Sequence, residues 1–215
     1  MTTESSTHGF HDLGPSSTSR HFRTGAALFH AGDPSDWVVL VVAGRVKIVE
    51  HTADGREVLL AVRGPGQLIG ELSAIDGEPR SASAIAMDDV EVLLVDASGF
   101  HSYLESHPSA AVALLRLLTV RLRDADRKRV EYSSHDVLGR VALRLLELAE
   151  EYGEADGTGV RITLPLSQDE LASYTASSRE AVAKALRTLR DRKVITTDRR
   201  AFTVIDIEGL RARAG

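Results

Sequence analysis

The chain has 215 residues, of which 43% are hydrophobic and 27% charged, an ordinary balance for a globular protein of two modest domains. It contains no cysteine, which excludes disulfides, thiolate nucleophiles, zinc–thiolate sites and cysteine-held iron–sulfur clusters. No apolar run reaches membrane-spanning length and the start of the chain lacks the apolar core of a signal peptide. We therefore expect a cytoplasmic protein with no membrane partner.

The formal net charge of −5 is distributed unevenly along the chain. From Val160 to Gly215 there are 11 Lys and Arg residues against 7 Asp and Glu, which gives this segment about +4 and leaves about −9 for the rest. An acidic body with a basic C-terminal module suits a protein that contacts nucleic acid through one face only.

The first half of the chain predicts a tail followed by a β-domain. Residues 1–19 are rich in Ser, Thr, Gly and His without periodicity, which predicts a disordered tail. From 20 to 107, short apolar runs alternate with turn signals such as Asp54-Gly55, the pattern of a β-barrel or sandwich. The predicted strands are 27–29, 37–42, 46–49, 58–62, 83–86 and 90–95.

Residues 108–135 predict one long helix. Its apolar residues are spaced alternately four and three apart between charged flanks, which is typical of a coiled-coil seam. We expect a homodimer formed through this helix, and the alternative is a helix packed on its own β-domain. The seam consists of Ala111, Leu115, Leu118, Leu122 and Ala125.

Residues 136–215 predict a winged helix-turn-helix. Asp136–Arg140 interrupts the helical pattern and is interpreted as a hinge, followed by a helix over 141–152, a Gly-rich loop and a strand over 160–163. Ser167 and Glu170 form a capping box that begins the first helix of the motif. Strands over 194–197 and 201–205 flank a basic tip at 198–200, which is the expected wing.

The second helix of the motif begins Ser178-Arg179-Glu180. Only the first turns of a helix directed into the major groove reach the base edges. There Arg179 can bind guanine through two hydrogen bonds, and Glu180 can accept one from cytosine N4. The predicted core side of this helix is formed by Val182, Ala185, Leu186 and Leu189.

The order of these segments resembles the cyclic-AMP receptor/FNR superfamily of bacterial transcription regulators. The resemblance covers about residues 22–205. It rests on Gly70-Glu71-Leu72-Ser73 with Arg80-Ser81-Ala82, on Asp136-Val137-Leu138-Gly139-Arg140, and on Ser178-Arg179-Glu180 before Val182 and Lys184.

The resemblance implies an α+β fold with an N-terminal cyclic-nucleotide-binding-like β-barrel (jelly roll), a long dimerisation helix and a C-terminal winged helix-turn-helix. It implies a dimeric, sequence-specific regulator that binds double-stranded DNA, works with RNA polymerase and is gated by a cyclic nucleotide. Cyclic AMP is the first expectation, with cyclic GMP or cyclic di-GMP as the others. The alternative function is a constitutive DNA-binding regulator whose effector pocket is vestigial or re-purposed.

By this resemblance, residues 70–82 form the phosphate-binding cassette. Backbone N–H groups after Gly70 can hold an anion, and Arg80 offers a charge-assisted fork to the cyclic phosphate. Glu71 can accept from a ribose hydroxyl and Ser81 can donate to a phosphate oxygen. A mutual Glu71–Arg80 salt bridge is the structural alternative. The predicted pocket residues in this segment are Gly70, Glu71, Leu72, Ser73, Arg80 and Ser81.

The base-recognition positions of the family correspond here to Ala125 and Asp126. The Ala125 side chain cannot form a hydrogen bond. Asp126 can accept from adenine N6 and would pair more completely with guanine N1–H and N2–H. Pairing of Asp126 with Arg129, one helical turn on, is the alternative. The identity of the nucleotide is therefore open at this stage, and heme sensing through His21, His30 or His51 is a further alternative.

On the DNA side, the resemblance gives Arg179 and Glu180 the reading of a G·C step. Lys184 stands in place of a family Arg and reaches a guanine or a phosphate as a point charge. Ala176 stands where the family turn usually has Gly, which predicts a slightly strained turn. The candidate contacts with the DNA backbone are Gln168, Ser177, Ser178 and Arg187.

Catalytic chemistry has little support in this sequence. There is no nucleophile–base motif and no His pattern typical of a metal site. His101 and His107 flank Glu105, but that spacing is too loose for a facial metal site. We expect no catalytic residue and no metal ligand.

Overall fold

The structure is a computed structural model and describes residues 10, 13, 17–157 and 159–214. It divides into two compact units, Met1–Leu122 and Arg123–Gly215, each of which is described by itself. Within the described ranges, no helix is both long enough and apolar enough to cross a membrane.

The first unit is built around two four-stranded antiparallel sheets, with strand orders β1-β8-β3-β6 and β2-β7-β4-β5. The strands are β1 (Thr18–Phe22), β2 (Ala27–Phe29), β3 (Trp37–Ala43), β4 (Val46–His51), β5 (Glu57–Arg63), β6 (Leu68–Ile69), β7 (Ser83–Ala86) and β8 (Val90–Asp96). All six predicted strands are present. β1 and β6 were not predicted, because β1 is largely exposed and β6 has only two residues.

The apolar run in β3 is continuous because the strand is covered on both sides. Val38 and Leu40 belong to one core cluster, whereas Val39 and Val41 belong to the other. Successive side chains of a strand point to opposite faces, so both sets are buried at once. One face of this strand therefore packs against the second sheet, and the other packs against helical residues such as Phe100 and Leu114.

The predicted tail, residues 1–19, lies mostly outside the described residues. Phe10 and Leu13 are described, and both are buried in the cluster that contains Phe100 and Leu114. The tail prediction is wrong for these two residues and for the start of β1 at Thr18. Isolated apolar residues among polar ones carry no periodic signal, so only tertiary packing reveals their role.

Three helices begin in the first unit: α1 (Glu71–Asp76), α2 (Ala97–Ser106) and α3 (Pro108–Ser134). α2 was not predicted, because Ser98-Gly99 looks like a turn in the sequence. In the structure Asp96 caps this helix by accepting a hydrogen bond from Gly99 N at 2.7 Å. Such a cap allows a helix to begin directly after a strand.

One face of α3 packs on the first unit and another is exposed. Ala110 and Leu114 are buried in the core cluster, whereas the predicted seam residues Leu115 and Leu122 are each 64% exposed. The predicted seam residue Leu118 packs against the same cluster, so only part of the seam is exposed. The helix thus packs on its own β-domain and still presents Leu115 and Leu122 to solvent.

The second unit contains the end of α3 followed by α4 (Val137–Tyr152), β9 (Gly153–Asp156), β10 (Gly159–Ile162), α5 (Gln168–Tyr174), α6 (Arg179–Asp191), β11 (Ile195–Asp198), β12 (Ala201–Val204) and α7 (Ile207–Ala214). Its sheet has the order β11-β12-β10-β9. The predicted winged helix-turn-helix is confirmed. Part of the predicted Gly-rich loop is the strand β9, and α7 was not predicted.

The predicted hinge at Asp136–Arg140 is mostly helical. Asp136 caps α4 by accepting from Gly139 N at 2.8 Å, so Val137 to Arg140 form its first turn. The break between α3 and α4 is limited to His135 and Asp136. The hinge interpretation is wrong for this first turn, because a cap signal and a helix-breaking signal look alike in the sequence.

The boundary between the compact units also differs from the expected division at residue 136. It lies between Leu122 and Arg123, inside α3. Before this point α3 buries Ala110 and Leu114 in the β-domain core, and after it the helix forms ion pairs with α4. Packing rather than the helix break therefore divides the chain.

An ion-pair network centred on the buried Arg144 joins the end of α3 to α4, and its other members are Arg127, Glu131 and Glu147. Arg144 is 1% exposed and pairs with both Glu131 and Glu147. Arg127 adds contacts at 3.0 Å to Glu147 and 3.4 Å to Glu131. The Arg144 guanidinium lies 5.3 Å from the ring centroid of Tyr174, the last residue of α5. Burial raises the pKa of Tyr174 to about 12, so this phenol is neutral at physiological pH.

Candidate functional sites

The predicted pocket begins at a glycine that no other residue can easily replace. Gly70 precedes α1 with φ of +81°, in the left-handed region. A Cβ atom at this position would lie 2.1 Å from Nη1 of Arg80. Backbone conformation and close approach therefore both require glycine here.

The Arg80 side chain is buried and held inside the first unit. It is 3% exposed, and it donates from Nη1 to Gly70 O at 2.9 Å and from Nη2 to Trp37 O at 2.5 Å. Its guanidinium lies 4.3 Å from the ring centroid of Phe29 and 4.6 Å from that of Trp37. Burial lowers the pKa of Arg80, and nearby carboxylates oppose this shift, so the group keeps its charge.

Glu71 pairs with a residue that the sequence analysis did not identify. Its buried carboxylate accepts from Arg121, which lies on α3 and also donates to Leu68 O at 2.7 Å. The alternative of a Glu71–Arg80 salt bridge is therefore replaced by a Glu71–Arg121 pair. Arg121 stands between Val120 and Leu122 in the long helix, but Arg116 has the same kind of apolar neighbours, so the sequence did not single it out.

Three buried side-chain nitrogen or oxygen atoms in the described residues have no hydrogen-bond partner: Ser35 Oγ, Arg80 Nε and Arg121 Nε. Buried donors without partners are rare in folded proteins. Two of them belong to arginines that contact Gly70 and Glu71, so an anionic ligand with several acceptor oxygens suits this site. The pocket residues fit a cyclic nucleotide in this respect.

The other cassette residues differ in exposure. Leu72 and Ser81 are exposed, whereas Ser73 is buried and donates from Oγ to Pro79 O at 3.3 Å. Ser81 is thus open to a ligand, and Ser73 stabilises the loop from within the fold.

Ala125 and Asp126, the predicted base-recognition positions, are exposed on the part of α3 that belongs to the second unit. In the described part of the chain, Asp126 makes no ion pair with Arg129. The histidines considered for heme, His21, His30 and His51, are exposed. Among the described residues, no group of three or more His, Asp or Glu side chains is placed to hold a metal ion.

Both helices of the DNA-binding motif have N-terminal caps, and the cap of the first helix is the predicted one. Ser167 and Glu170 form a complete capping box at α5, with Ser167 N donating to Glu170 at 2.8 Å and Glu170 N donating to Ser167 Oγ at 3.1 Å. Ser178 caps α6 by accepting from Ala181 N at 3.2 Å. These caps fix where the recognition helix starts.

The faces of α6 separate as predicted. Val182, Ala185, Leu186 and Leu189 are buried, whereas Arg179, Glu180, Lys184 and Arg187 are exposed. Hydrogen bonds from the backbone of Glu180 and from the Ser178 hydroxyl lower the pKa of the Glu180 carboxyl. Glu180 is therefore an ionised acceptor in the first turn, as pairing with cytosine N4 requires.

Arg140 holds the turn between the two helices. It donates from Nε to Thr175 O at 3.0 Å, from Nη2 to Ser177 Oγ at 3.1 Å and from Nη1 to His135 O at 2.8 Å. Between its first two partners lies Ala176 with φ of +48°, the left-handed conformation that the missing glycine predicted. The Ser177 hydroxyl is thus engaged within the turn.

The wing and the motif border a cavity of about 320 Å³, which we call the wing cleft. Arg179 Nε pairs with Asp169 Oδ1 across 3.1 Å in this cleft. At the wing tip Arg200 adopts φ of +56° and donates to Pro165 O at 3.1 Å. The wing cleft is lined by Leu166, Ser167, Gln168, Asp169, Arg179, Asp198, Arg199, Arg200 and Phe202.

Two family models match the two units. Residues 19–107 match the cyclic nucleotide-binding domain, and residues 139–213 match the Crp-like helix-turn-helix domain. The first covers the pocket around Gly70 and Arg80, and the second covers α4 to α7.

Similar proteins match along nearly the whole chain. The chain is 36% identical over 193 residues to the CRP-like cAMP-activated global transcriptional regulator of Mycobacterium tuberculosis, covering 90% of this chain and 86% of that protein. It is 32% identical to the cyclic AMP receptor protein of Thermus thermophilus, covering 86% and 87%. A solved CRP-family transcriptional regulator of Thermus thermophilus superposes with a TM-score of 0.79 at 26% identity, covering 91% and 96%.

Proposed function

This chain belongs to the CRP/FNR family of DNA-binding transcription regulators, and from that premise we propose a homodimeric regulator whose contact with double-stranded DNA is controlled by a cyclic nucleotide. As a regulator of transcription, it acts in the cytoplasm together with RNA polymerase. The observation that carries the proposal is the capped helix α6, which exposes Arg179 and Glu180 in its first turn and buries its opposite face.

Cyclic AMP is the effector that we propose. The pocket offers two arginines whose buried Nε atoms have no partner, together with the Glu71 carboxylate, and these groups suit a phosphate and a ribose hydroxyl. Relatives at 36% and 32% identity carry names that specify cyclic AMP. Cyclic GMP and cyclic di-GMP are the competing ligands, because Ala125 and Asp126 give adenine no hydroxyl partner.

A specific observation also favours a constitutive regulator with a re-purposed pocket. The Arg80 fork already donates to the carbonyls of Gly70 and Trp37. A ligand phosphate must displace these bonds, which lowers the gain from binding. This second function needs no nucleotide for DNA binding.

Selection of random-sequence double-stranded DNA by the purified chain, with and without each of the three cyclic nucleotides, separates these functions. We expect enrichment of a two-fold symmetric site with half-sites about one helical turn apart, and stronger enrichment with cyclic AMP. Equal enrichment under all conditions supports the constitutive regulator. Failure to enrich any sequence contradicts both.

Base reading by Arg179 is tested by Arg179→Ala on the selected site. The variant should lose about 1–3 kcal/mol of binding free energy there and lose its preference at one base pair of each half-site, because a bidentate guanine contact is removed. Arg187→Ala is the control, since loss of a phosphate contact weakens binding to all sequences alike. A uniform loss with Arg179→Ala would contradict base reading.

Dimerisation through α3 is tested by placing a charged residue on its exposed apolar stripe. Leu115 and Leu122 lie seven residues apart, so they share one helix face, and each is 64% exposed. Sedimentation should give the mass of two chains for the natural sequence and of one chain for Leu115→Glu. Val120→Glu is the control, because Val120 is 65% exposed but lies off the seam. Equal masses for both variants would contradict the seam.

A further inference from the structure

The arginine proposed to read a base is already engaged by an acidic residue of the neighbouring helix. Arg179 Nε lies 3.1 Å from Asp169 Oδ1, and the two side chains are 70% and 62% exposed. Among the described residues, neither terminal nitrogen of Arg179 has a protein partner. The carboxylate therefore lies on the Nε side of the guanidinium as an ion pair and leaves its two outer amino groups available.

Stability does not explain this pair. Exposed ion pairs contribute little to folding. Asp169 also differs from its neighbour Glu170, whose carboxylate completes the capping box and contacts Arg200 at 3.4 Å. Asp169 instead pairs with Arg179 and lines the wing cleft, whose lining also includes Arg199 and Arg200.

A carboxylate on this surface weakens the binding of DNA of any sequence. Phosphates carry the negative charge of DNA, and a like charge on the contacting face weakens binding to every sequence. A side chain that weakens all binding can still increase selectivity if it weakens the wrong contacts more than the right one.

We propose that Asp169 is a positioning residue that determines specificity by orienting Arg179. Held at Nε, the guanidinium presents its two outer amino groups as a fork to guanine O6 and N7, with less rotational freedom to lose on binding. Turning Arg179 toward a phosphate breaks the pair and leaves Asp169 facing DNA uncompensated. This inference rests on the proposed base reading by Arg179.

The competing explanation is that Asp169 only stabilises its own helix, α5. Asp169 lies in the first turn of α5, where a negative charge interacts favourably with the helix dipole. That role predicts a lower melting temperature for Asp169→Asn and no change in the ratio of specific to non-specific binding.

The test compares Asp169→Asn with Asp191→Asn, a matched control that removes an exposed carboxylate at the other end of α6. Affinities of the full chain are measured across a salt series for the selected site and for random DNA. We expect Asp169→Asn to tighten binding to random DNA about three- to fivefold while the selected site changes less than about twofold. The salt slope on random DNA should steepen by about one phosphate contact, because Arg179 is free to turn to the backbone.

Asp191→Asn should change the affinities for the selected site and for random DNA by the same factor. The same shift with Asp169→Asn would overturn the proposal, as would a lower melting temperature with an unchanged ratio. In an Arg179→Ala background, Asp169→Asn should leave the ratio unchanged, and a persistent effect there would also overturn it. Failure of the proposed base reading would be seen in separate experiments. The natural chain would select no DNA sequence, or the Arg179→Ala variant would keep its base preference. Either result overturns this inference too.

Discussion

Replacing Arg144 with methionine should lower the free energy of unfolding of the second unit by about 3–5 kcal/mol. The guanidinium is 1% exposed and pairs with Glu131 and Glu147. Its removal leaves the buried Glu131 carboxylate and the partly buried Glu147 carboxylate with Arg127, which is largely exposed, as their remaining ion-pair partner in this network. Loss of one partner of a buried network is far more harmful than loss of an exposed pair.

Chemical denaturation of the full chain measures this effect. The single tryptophan, Trp37, lies in the first unit, so its fluorescence reports on that unit while circular dichroism reports on both. Only the unfolding transition of the second unit, followed by circular dichroism, should shift to a lower denaturant concentration. The control is Arg211→Met, which removes a 2.7 Å pair with Glu208 between exposed side chains and should change little.

A triple variant tests whether the unpaired carboxylates cause the loss of stability. Combining Arg144→Met with Glu131→Leu and Glu147→Leu should recover most of the lost stability, because no uncompensated charge stays buried. A single Arg144→Met variant as stable as the control would contradict an energetic role for the network.

Replacing Arg80 with glutamine should weaken cyclic AMP binding about 30-fold or more, the range for truncating a buried, hydrogen-bonded charge. Arg80 is the charged group beneath Gly70, and glutamine offers neither its charge nor its fork. Calorimetric titration with cyclic AMP, cyclic GMP and cyclic di-GMP measures the loss.

Arg56→Gln serves as the control, because it removes an equal charge from an exposed hairpin of the same unit. It should bind cyclic AMP as the natural chain does. Circular dichroism checks that both variants stay folded, because Arg80 itself contacts Trp37 and its replacement would change the tryptophan fluorescence directly. Equal affinity for Arg80→Gln and the control would contradict a phosphate role for Arg80. The absence of heat with all three nucleotides for the natural chain would favour the constitutive regulator.

Local rules were enough to predict the DNA-binding motif. The caps at Ser167 and Ser178 depend on residues three positions away, and the buried face of α6 depends on helical periodicity. Both kinds of information lie within one turn or one helix. This is why the start of α6 and its exposed residues were predicted correctly.

Partners distant in the sequence could not be predicted in this way. Arg121 meets Glu71, and Arg140 meets Thr175 and Ser177, only because the fold brings separate helices together. For the same reason Arg80 was predicted as a pocket residue, whereas its bonds to Gly70 and Trp37 were not. The sequence indicated which charged residues are important, but it did not indicate which residue each of them contacts in the fold.

The left-handed Ala176 has a consequence for how this protein can evolve. A side chain at φ of +48° costs about 1–2 kcal/mol relative to the ordinary conformations. Glycine would relieve this strain, although its greater freedom in the unfolded chain offsets part of the gain. Alanine and glycine codons differ by a single nucleotide, so the DNA-binding unit lies one mutation from a more stable form. That reserve would let the recognition surface accept destabilising substitutions while it acquires a new target sequence.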